Sequence, residues 1–309
     1  MTVAANSGYV QYGGSSRTFI PELWSTKLAV KYYEGSVLNS ISNTDYEGEI
    51  KNVGDKVNIR TIPDITIRDY EKGDSLTYEN PESPLVELAV DRAKYWAMAV
   101  DDIDAYQSDL KLLDDWAEDA GEKMKAVLDT DVLGSIYADV DSDNAGPTAG
   151  AISGSYDLGE TGSPVTLDTT NIIDYIVHLG SVLDEQSVPE TGRWIVLPSV
   201  LANRVKRSEI KDASLAGDGT SVLRNGRMGM IDRFTVYRSN HIQWVEDNTD
   251  TVFHVMAGHT SALTFAMQIT KTQHIVGESS FEEKLRGLSV YGFKVINGKG
   301  LAHLYAKAG

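Results

Sequence analysis

The sequence predicts an α+β fold built from antiparallel sheets, and three observations predict it. Leu85 to Asp101 alternates with period two, the pattern of a long strand. Leu113, Trp116, Ala117, Ala120, Met124, Val127 and Leu128 then recur at three- and four-residue spacing, one apolar stripe of a helix. The last third of the chain alternates again in short runs, so helices and strands are mixed yet largely segregated.

In chain order, Met1 to Thr18 is rich in Gly and Ser and reads as a disordered or docking arm, too poor in apolar surface to fold alone. Phe19 to Glu34 carries Pro21 at a helix start, with Leu23, Trp24, Leu28 and Val30 as anchors. The aromatics Tyr9, Tyr12, Trp24, Tyr32 and Tyr33 admit two readings. One is packing on the chain's own core; the other is docking on a neighbouring subunit, where Tyr and Trp are favoured. Val53-Gly54-Asp55 reads as a turn, and Lys56 to Ile62 as a strand that alternates through Val57, Ile59 and Thr61. Ile65 and Ile67 continue the alternation before the chain turns polar from Arg68 to Glu82, punctuated by Gly73-Asp74, Pro81 and Pro84.

With the strand from Leu85, this segment makes an antiparallel hairpin with a charged tip. In that strand Val86, Leu88, Val90, Arg92, Lys94, Trp96, Met98 and Val100 share one face. Glu87, Ala89, Asp91, Ala93, Ala97, Ala99 and Asp101, small or acidic, share the other. A two-stranded ribbon is marginal by itself in water, and the chain offers no obvious second layer for it. No proline interrupts Leu85 to Gly146, and a helix from Asp104 to Ala138 would be roughly 50 Å long at 1.5 Å per residue. Gly121 inside it costs about 1 kcal/mol relative to Ala; beside Ala117 and Ala120 it permits bending or close approach.

Asp139 to Pro164 is loop-like, with five glycines and two prolines. Asp168 opens a second helix through Ile172, Ile176, Leu179 and Leu183. Gly192 to Pro198 is an apolar run bounded by turn residues, hence a buried strand. Pro198 to Ile210 is helical again, and Ala213 to Gly229 is glycine-rich and mobile. Short strands follow at Phe234–Val236, Thr251–Met256, Ala262–Gln268, Leu288–Val295 and Leu301–Tyr305.

Composition narrows the function. The formal charge of −17 over 309 residues disfavours general affinity for nucleic acid and favours solubility at high concentration. Arg204, Lys206, Arg207 and Lys211 form one short basic cluster. Without cysteine there is no disulfide and no thiolate chemistry. No run of eighteen apolar residues suggests a helical membrane span, and the polar N-terminus lacks the apolar core of a signal peptide.

Candidate chemistry is thin. Asp139-Val-Asp141-Ser-Asp143-Asn144 opens like a calcium loop, but Asn144 and Gly150 stand where Gly and Glu are needed, so a solvated acidic turn is expected. Asp101, Asp102 and Asp104 read as N-terminal charge on the long helix. The histidines His178, His241, His254, His259, His274 and His303 show no ligand spacing and read as scattered structural residues. Gly226-Arg-Met-Gly229 reads as a turn before a strand. No nucleophile, base and oxyanion donors assemble. No catalytic, cofactor or metal site is expected, and neither is an enzyme.

Several strings, in their order, resemble one branch of the siphophage major capsid proteins, which have the Hong Kong 97 fold. They are Asp45-Tyr46-Glu47-Gly48-Glu49-Ile50-Lys51-Asn52-Val53-Gly54-Asp55, Ala93-Lys94-Tyr95-Trp96-Ala97 and Val100-Asp101-Asp102-Ile103-Asp104. Gly192-Arg193-Trp194-Ile195-Val196-Leu197-Pro198 and Asn225-Gly226-Arg227-Met228-Gly229 with Val236-Tyr237-Arg238-Ser239-Asn240 complete the set. The resemblance implies an N-terminal arm at 1–45, an extended hairpin or E-loop at 46–100, and a spine helix and P-domain at 101–164. It further implies an A-domain at 165–280 and a C-terminal return into the P-domain at 281–309. The implied function is self-assembly into hexamers and pentamers of an icosahedral shell that encloses packaged double-stranded DNA.

The expected partners are copies of the chain itself, a portal and DNA held by enclosure without sequence-specific contacts. Because the chain reaches the arm directly from Met1, a separate scaffolding protein is expected as well. The location implied is the virion, with assembly in the host cytoplasm. Subunit-interface candidates are Tyr9, Tyr12 and Trp24 in the arm and Arg68, Asp69, Glu71, Lys72, Asp74 and Glu79 at the hairpin tip. Two alternatives stay open: an encapsulin-like nanocompartment shell, and a metal-dependent enzyme built on the aspartate clusters.

Overall fold

A computed structural model of the chain describes residues 34–45, 56–63, 65–73, 75–80, 85–101, 112–208, 229–276 and 282–309. Tyr9, Tyr12, Trp24, Asp74, Asp102, Asp104, Lys211, the Val53–Asp55 turn, Gly226–Met228 and almost all of the glycine-rich 213–229 segment lie outside the described residues. Strand β1 (Lys56–Arg60) pairs antiparallel with β2 (Leu85–Ala89), Lys56 opposite Ala89 and Arg60 opposite Leu85. The expected long strand is not continuous. It breaks at Val90-Asp91, and β3 (Arg92–Asp101) continues in a different sheet.

That sheet is three-stranded, with β11 (Glu282–Val295) in the middle, β3 on one side and β10 (Leu263–Val276) on the other, all antiparallel. β10 and β11 are 14 residues each, about 48 Å at 3.4 Å per residue. Their outer halves run through Lys271, Gln273, His274, Lys284 and Arg286, polar on both faces, which is why the sequence pattern shows only their inner halves. The break in the long strand has a local cause. A Cβ at Gly292 of β11 would lie 2.1 Å from the Ala89 carbonyl oxygen and 2.9 Å from Val90 Cα. The chain steps across the sheet over this glycine. The base of the ribbon therefore does have a second layer in its own chain, contrary to expectation: Ile59, Leu88 and Val90 are buried with Ala266, and Val57, Val86, Val290 and Ile296 pack around them.

On the opposite face of this sheet lies α2 (Leu112–Leu133), preceded by the single turn α1 (Leu38–Ile41). The 22 described residues of α2 span roughly 33 Å at 1.5 Å per residue. The helix stops at Leu133, five residues before the expected Ala138, and a 3-10 turn (Ile136–Asp139) takes over. Its buried stripe also sits later than expected: Leu128, Val132 and Leu133 are buried, whereas Trp116 and Val127 are exposed. An added Cβ on Gly121 meets no atom within 4 Å, so the close approach expected there is not made with the described residues.

Two carboxylates fix the helix. Asp131 Oδ2 accepts from Tyr291 Oη (2.6 Å) and Arg92 Nη1 (2.8 Å), joining α2 to β11 and β3. Burial works to raise the Asp131 carboxyl, yet the bonds from Tyr291 and Arg92 and the charges of Arg92 and Lys94 hold it below the usual carboxylate range. Buried Asp129 accepts from Ser36 Oγ (2.6 Å) and Val37 N (2.8 Å), anchoring the start of α1.

The remaining strands build a seven-stranded sheet in the order β4 (Val165–Leu167), β12 (Leu301–Ala308), β9 (Asp250–His259), β5 (Arg193–Leu197), β7 (Phe234–Arg238) and β6 (Met230–Ile231), with β8 (Trp244–Asp247) pairing β9. The sheet is mixed, not antiparallel throughout, because β5–β7 and β4–β12 run parallel. Helices α3 (Ile172–Glu185) and α4 (Ser199–Arg207) cover one face, where Ile176, Leu179 and Leu201 bury against Ile195, Leu197, Phe234 and Leu304. Trp194, Val196 and Met256 point the other way and pack with Ile41, Val132 and Ile136. A strand covered on both faces reads as a continuous apolar run, and all five residues of β5 are buried. Arg193 at its start is held by the backbone oxygens of Pro189, Gly180 and Val188 and by Asp184.

Two outcomes test this packing. Gly292→Ala should lower stability by about 2 kcal/mol, the cost of forcing a methyl into a filled contact, and chemical denaturation would register it; an unchanged midpoint would mean the ribbon base can lift off β11. Asp131→Asn should cost about 2 kcal/mol by weakening two bonds to a charged acceptor. The wild-type advantage over that variant should be whole at pH 7 and fall as the pH drops through the lowered carboxyl pKa, because the unfolded chain takes up this proton first.

Candidate functional site

Beyond β1 and β2 the ribbon continues into a tip in which every described residue from 65 to 80 is exposed. The two limbs are tied at Glu79, whose carboxylate accepts the Thr66 N–H at 2.8 Å and lies 3.7 Å from Arg68 Nη2. Lys56 and Glu87 pair across the ribbon base at 2.6 Å. The described tip candidates Arg68, Asp69, Glu71, Lys72 and Glu79 are thus brought together at one end of the ribbon, where they are exposed.

The charge reading missed the apolar half of the tip. Ile62 (93% exposed), Ile67 (94%) and Tyr78 (89%), with Ile65, Tyr70 and Leu76, stand in solvent. An exposed apolar cluster on a charged ribbon marks an interaction surface. The signal was present in the sequence, since Ile65, Ile67, Tyr70, Leu76 and Tyr78 interrupt a run rich in turn residues.

A second open surface lies on the three-stranded sheet, on the face away from α2. The ladder sets Tyr95 beside Leu288 and Lys271, and Ala97 beside Arg286 and Gln273. Tyr95 is 78% exposed, the one bulky side chain on an otherwise small strand face. Arg286 donates from Nε and Nη2 to the neutral amide oxygen of Gln273, so its charge is not offset there. Lys284, one pair further along, is salt-bridged to Glu282.

The sequence-level acidic segment is structural. Asp139 pairs with Lys294 at 3.1 Å, and Asp141 accepts the Asp143 N–H. Buried Asn144 donates to the carbonyls of Lys299 and Leu301 and accepts from Gln186. Of the basic cluster, Arg204, Lys206 and Arg207 occupy the last turn of α4. The histidines are not all scattered. His254 on β9 and His303 on β12 face each other with ring nitrogens 3.0 Å apart, a pairing across strands that spacing along the chain cannot reveal.

A family model described as phage capsid protein matches residues 86–304, more than two thirds of the chain. No protein of curated function matches. Solved structures do: a protein of Mycobacterium phage Che8 superposes with a TM-score of 0.76 at 24% identity over 94% of this chain and 98% of that one. A capsid structure of the cyanophage P-SCSP1u gives 0.72 at 10% identity, covering 94% of both chains. The capsid of Ralstonia phage GP4 gives 0.66 at 12% identity, over 96% of this chain and 99% of that one. These likenesses share the Hong Kong 97 fold expected from the sequence. The chain belongs to the phage capsid protein family, and is a structural protein of the virion shell, not an enzyme.

Proposed function

We propose that the chain is the subunit of an icosahedral shell of hexamers and pentamers around packaged double-stranded DNA, and that the ribbon tip is its docking element. The observation that carries this is the tip itself: six exposed apolar side chains on a ribbon of which the described residues cover only the base. Residues 1–45 serve as the arm, 46–100 as the extended hairpin, and 101–164 with 281–309 as the P-domain. The stretch 165–280 serves as the A-domain. A separate scaffolding protein and a portal complete the assembly in the host cytoplasm. DNA is held by enclosure, since a net charge of −17 opposes phosphate binding.

The tip's receiving surface is the outer sheet face of the next copy. The tip presents Asp69 and Glu71 with Ile67, Tyr70 and Tyr78, beside Lys72 and with Glu79 held by Arg68 and Thr66; the sheet face presents Lys271 and Arg286 with Tyr95 and Leu288. Opposite charge around an apolar centre sets orientation and register more than raw affinity.

Replacing Ile67 to Leu76 by a short Gly-Asn turn tests the docking role. Circular dichroism should stay near normal, because an exposed tip contributes little to the core. Light scattering, with a scaffolding partner supplied, should show assembly reduced or lost; normal shells would refute docking, and an unfolded subunit would place the tip in the core. Lys271→Glu with Arg286→Glu should leave melting unchanged within about 0.5 kcal/mol and reduce shell yield on the order of tenfold, since like charges then face the tip. Unchanged yield would remove the sheet face from the account.

A further inference from the structure

The His254–His303 pair lies apart from the proposed docking surfaces, on β9 and β12 beneath the turn that leaves α2. His254 is 7% exposed, and its Nδ1 lies 3.0 Å from His303 Nε2. Tyr137, in the 3-10 turn that follows α2, lays its ring on this pair, 4.1 Å from His254 and 5.8 Å from His303 between centroids. Tyr305 closes the cluster edge-on to His254 at 5.0 Å.

Two facing imidazole nitrogens at this distance share one hydrogen: one ring donates and the other accepts. The pair tolerates at most one added proton. A second would set two N–H groups head to head and end the bond.

The neighbouring charges are already committed. Asp247 on β8 accepts from Tyr305 Oη at 3.1 Å, Asp250 on β9 pairs with Lys307 on β12 at 2.6 Å, and Asp139 of the 3-10 turn pairs with Lys294 of β11. Glu246 of β8 sits on the alternate face of its strand, beside Thr251. Among the described residues no carboxylate forms an ion pair with either ring that would stabilise an added proton.

The geometry points to a proton-sensitive joint: the His254–His303 pair, with the Tyr137 ring on it, clamps the turn leaving α2 to the seven-stranded sheet at neutral pH, and protonation of both rings releases it. Burial pushes His254 below the ordinary imidazole value; burial, and then the charge of His254, pushes His303 down to about 3. Freed rings take up protons near pH 6.5. The open form therefore binds more protons than the closed form below about pH 6.5, so the clamp is whole above that value and weakens as the pH falls towards 3. The carboxylates Asp131 and Asp184, whose pKa values are lowered, act at lower pH, so the upper part of this window belongs to the histidines. The consequence is a hinge in acid at residues 134–140, while Asp131 keeps α2 on the three-stranded sheet.

The test is exchange mass spectrometry on the full chain as purified. Deuteration at the imidazole C2 reports each histidine's own titration; both midpoints should fall below the ordinary imidazole value, with that of His303 the lower, at about 3. Amide exchange in peptides over 134–140, corrected for the intrinsic pH dependence, should rise at least about tenfold from pH 7 to pH 5. In His303→Gln, which keeps a neutral polar group, that rise should shrink severalfold, because His254 alone is left to take up a proton. A midpoint above 6 for both rings, no rise in the wild type, or an equal rise in His303→Gln would overturn the joint. The wild-type midpoints need no variant, so they decide the matter even if His303→Gln fails to fold.

Discussion

The fold depends on one strand being paired on both sides. β11 carries β10 along one edge and β3 along the other, and so stands at the centre of their sheet. Its side chains divide the work. Tyr291, fully buried, reaches through one face to Asp131 and fixes α2. Gly292, next in the chain, leaves the other face bare so that the ribbon can cross at Ala89 and Val90. Two successive residues thus place the long helix and the ribbon on opposite faces of the same sheet. Moving either would change the angle at which the ribbon leaves the subunit.

The consequence is an uneven distribution of stability. The seven-stranded sheet is covered on both faces by α3, α4, α1 and the end of α2, and it holds most of the buried side chains. Among the described residues, the ribbon is supported only over its base, by a small cluster around Leu88 and Val90. Past Arg60 and Leu85 the backbone runs into solvent with Ile62, Ile67 and Tyr78 uncovered. Apolar surface of that kind is a cost to a solitary subunit and a source of free energy on association. The arrangement suits a shell protein: a core buried within the subunit, and an extension whose apolar surface is left exposed on it.

Much of the architecture is legible in the residues, and the misses have physical reasons. β5 is readable because Trp194 to Leu197 is apolar on both sides, which only a doubly covered strand tolerates. The ribbon is readable from alternation and from its Pro and Gly punctuation. Its break at Val90-Asp91 is not, because the alternation continues unchanged while the partner strand switches; the cause is a glycine some two hundred residues later. The helix end is not marked by a proline in Gly134 to Ala138; the helix stops at Leu133, with Gly134 the residue after it. Tyr95 is one aromatic on a face of alanines, and in the tip Ile65 and Ile67 read as strand alternation while Tyr70, Leu76 and Tyr78 are outnumbered by charged and turn residues. The pairing of His254 with His303 depends on the β9–β12 register, which no local pattern encodes.

If the ribbon tip is completed by another copy of the chain, cryo-electron microscopy of the purified protein, assembled with its scaffolding partner, shows it most directly. Closed shells are expected in which the ribbon tip of each subunit lies against the Tyr95, Lys271 and Arg286 face of a neighbour, with Ile67 and Tyr78 removed from solvent. Shells in which the tip projects free, or a preparation that stays monomeric under those conditions, would contradict it.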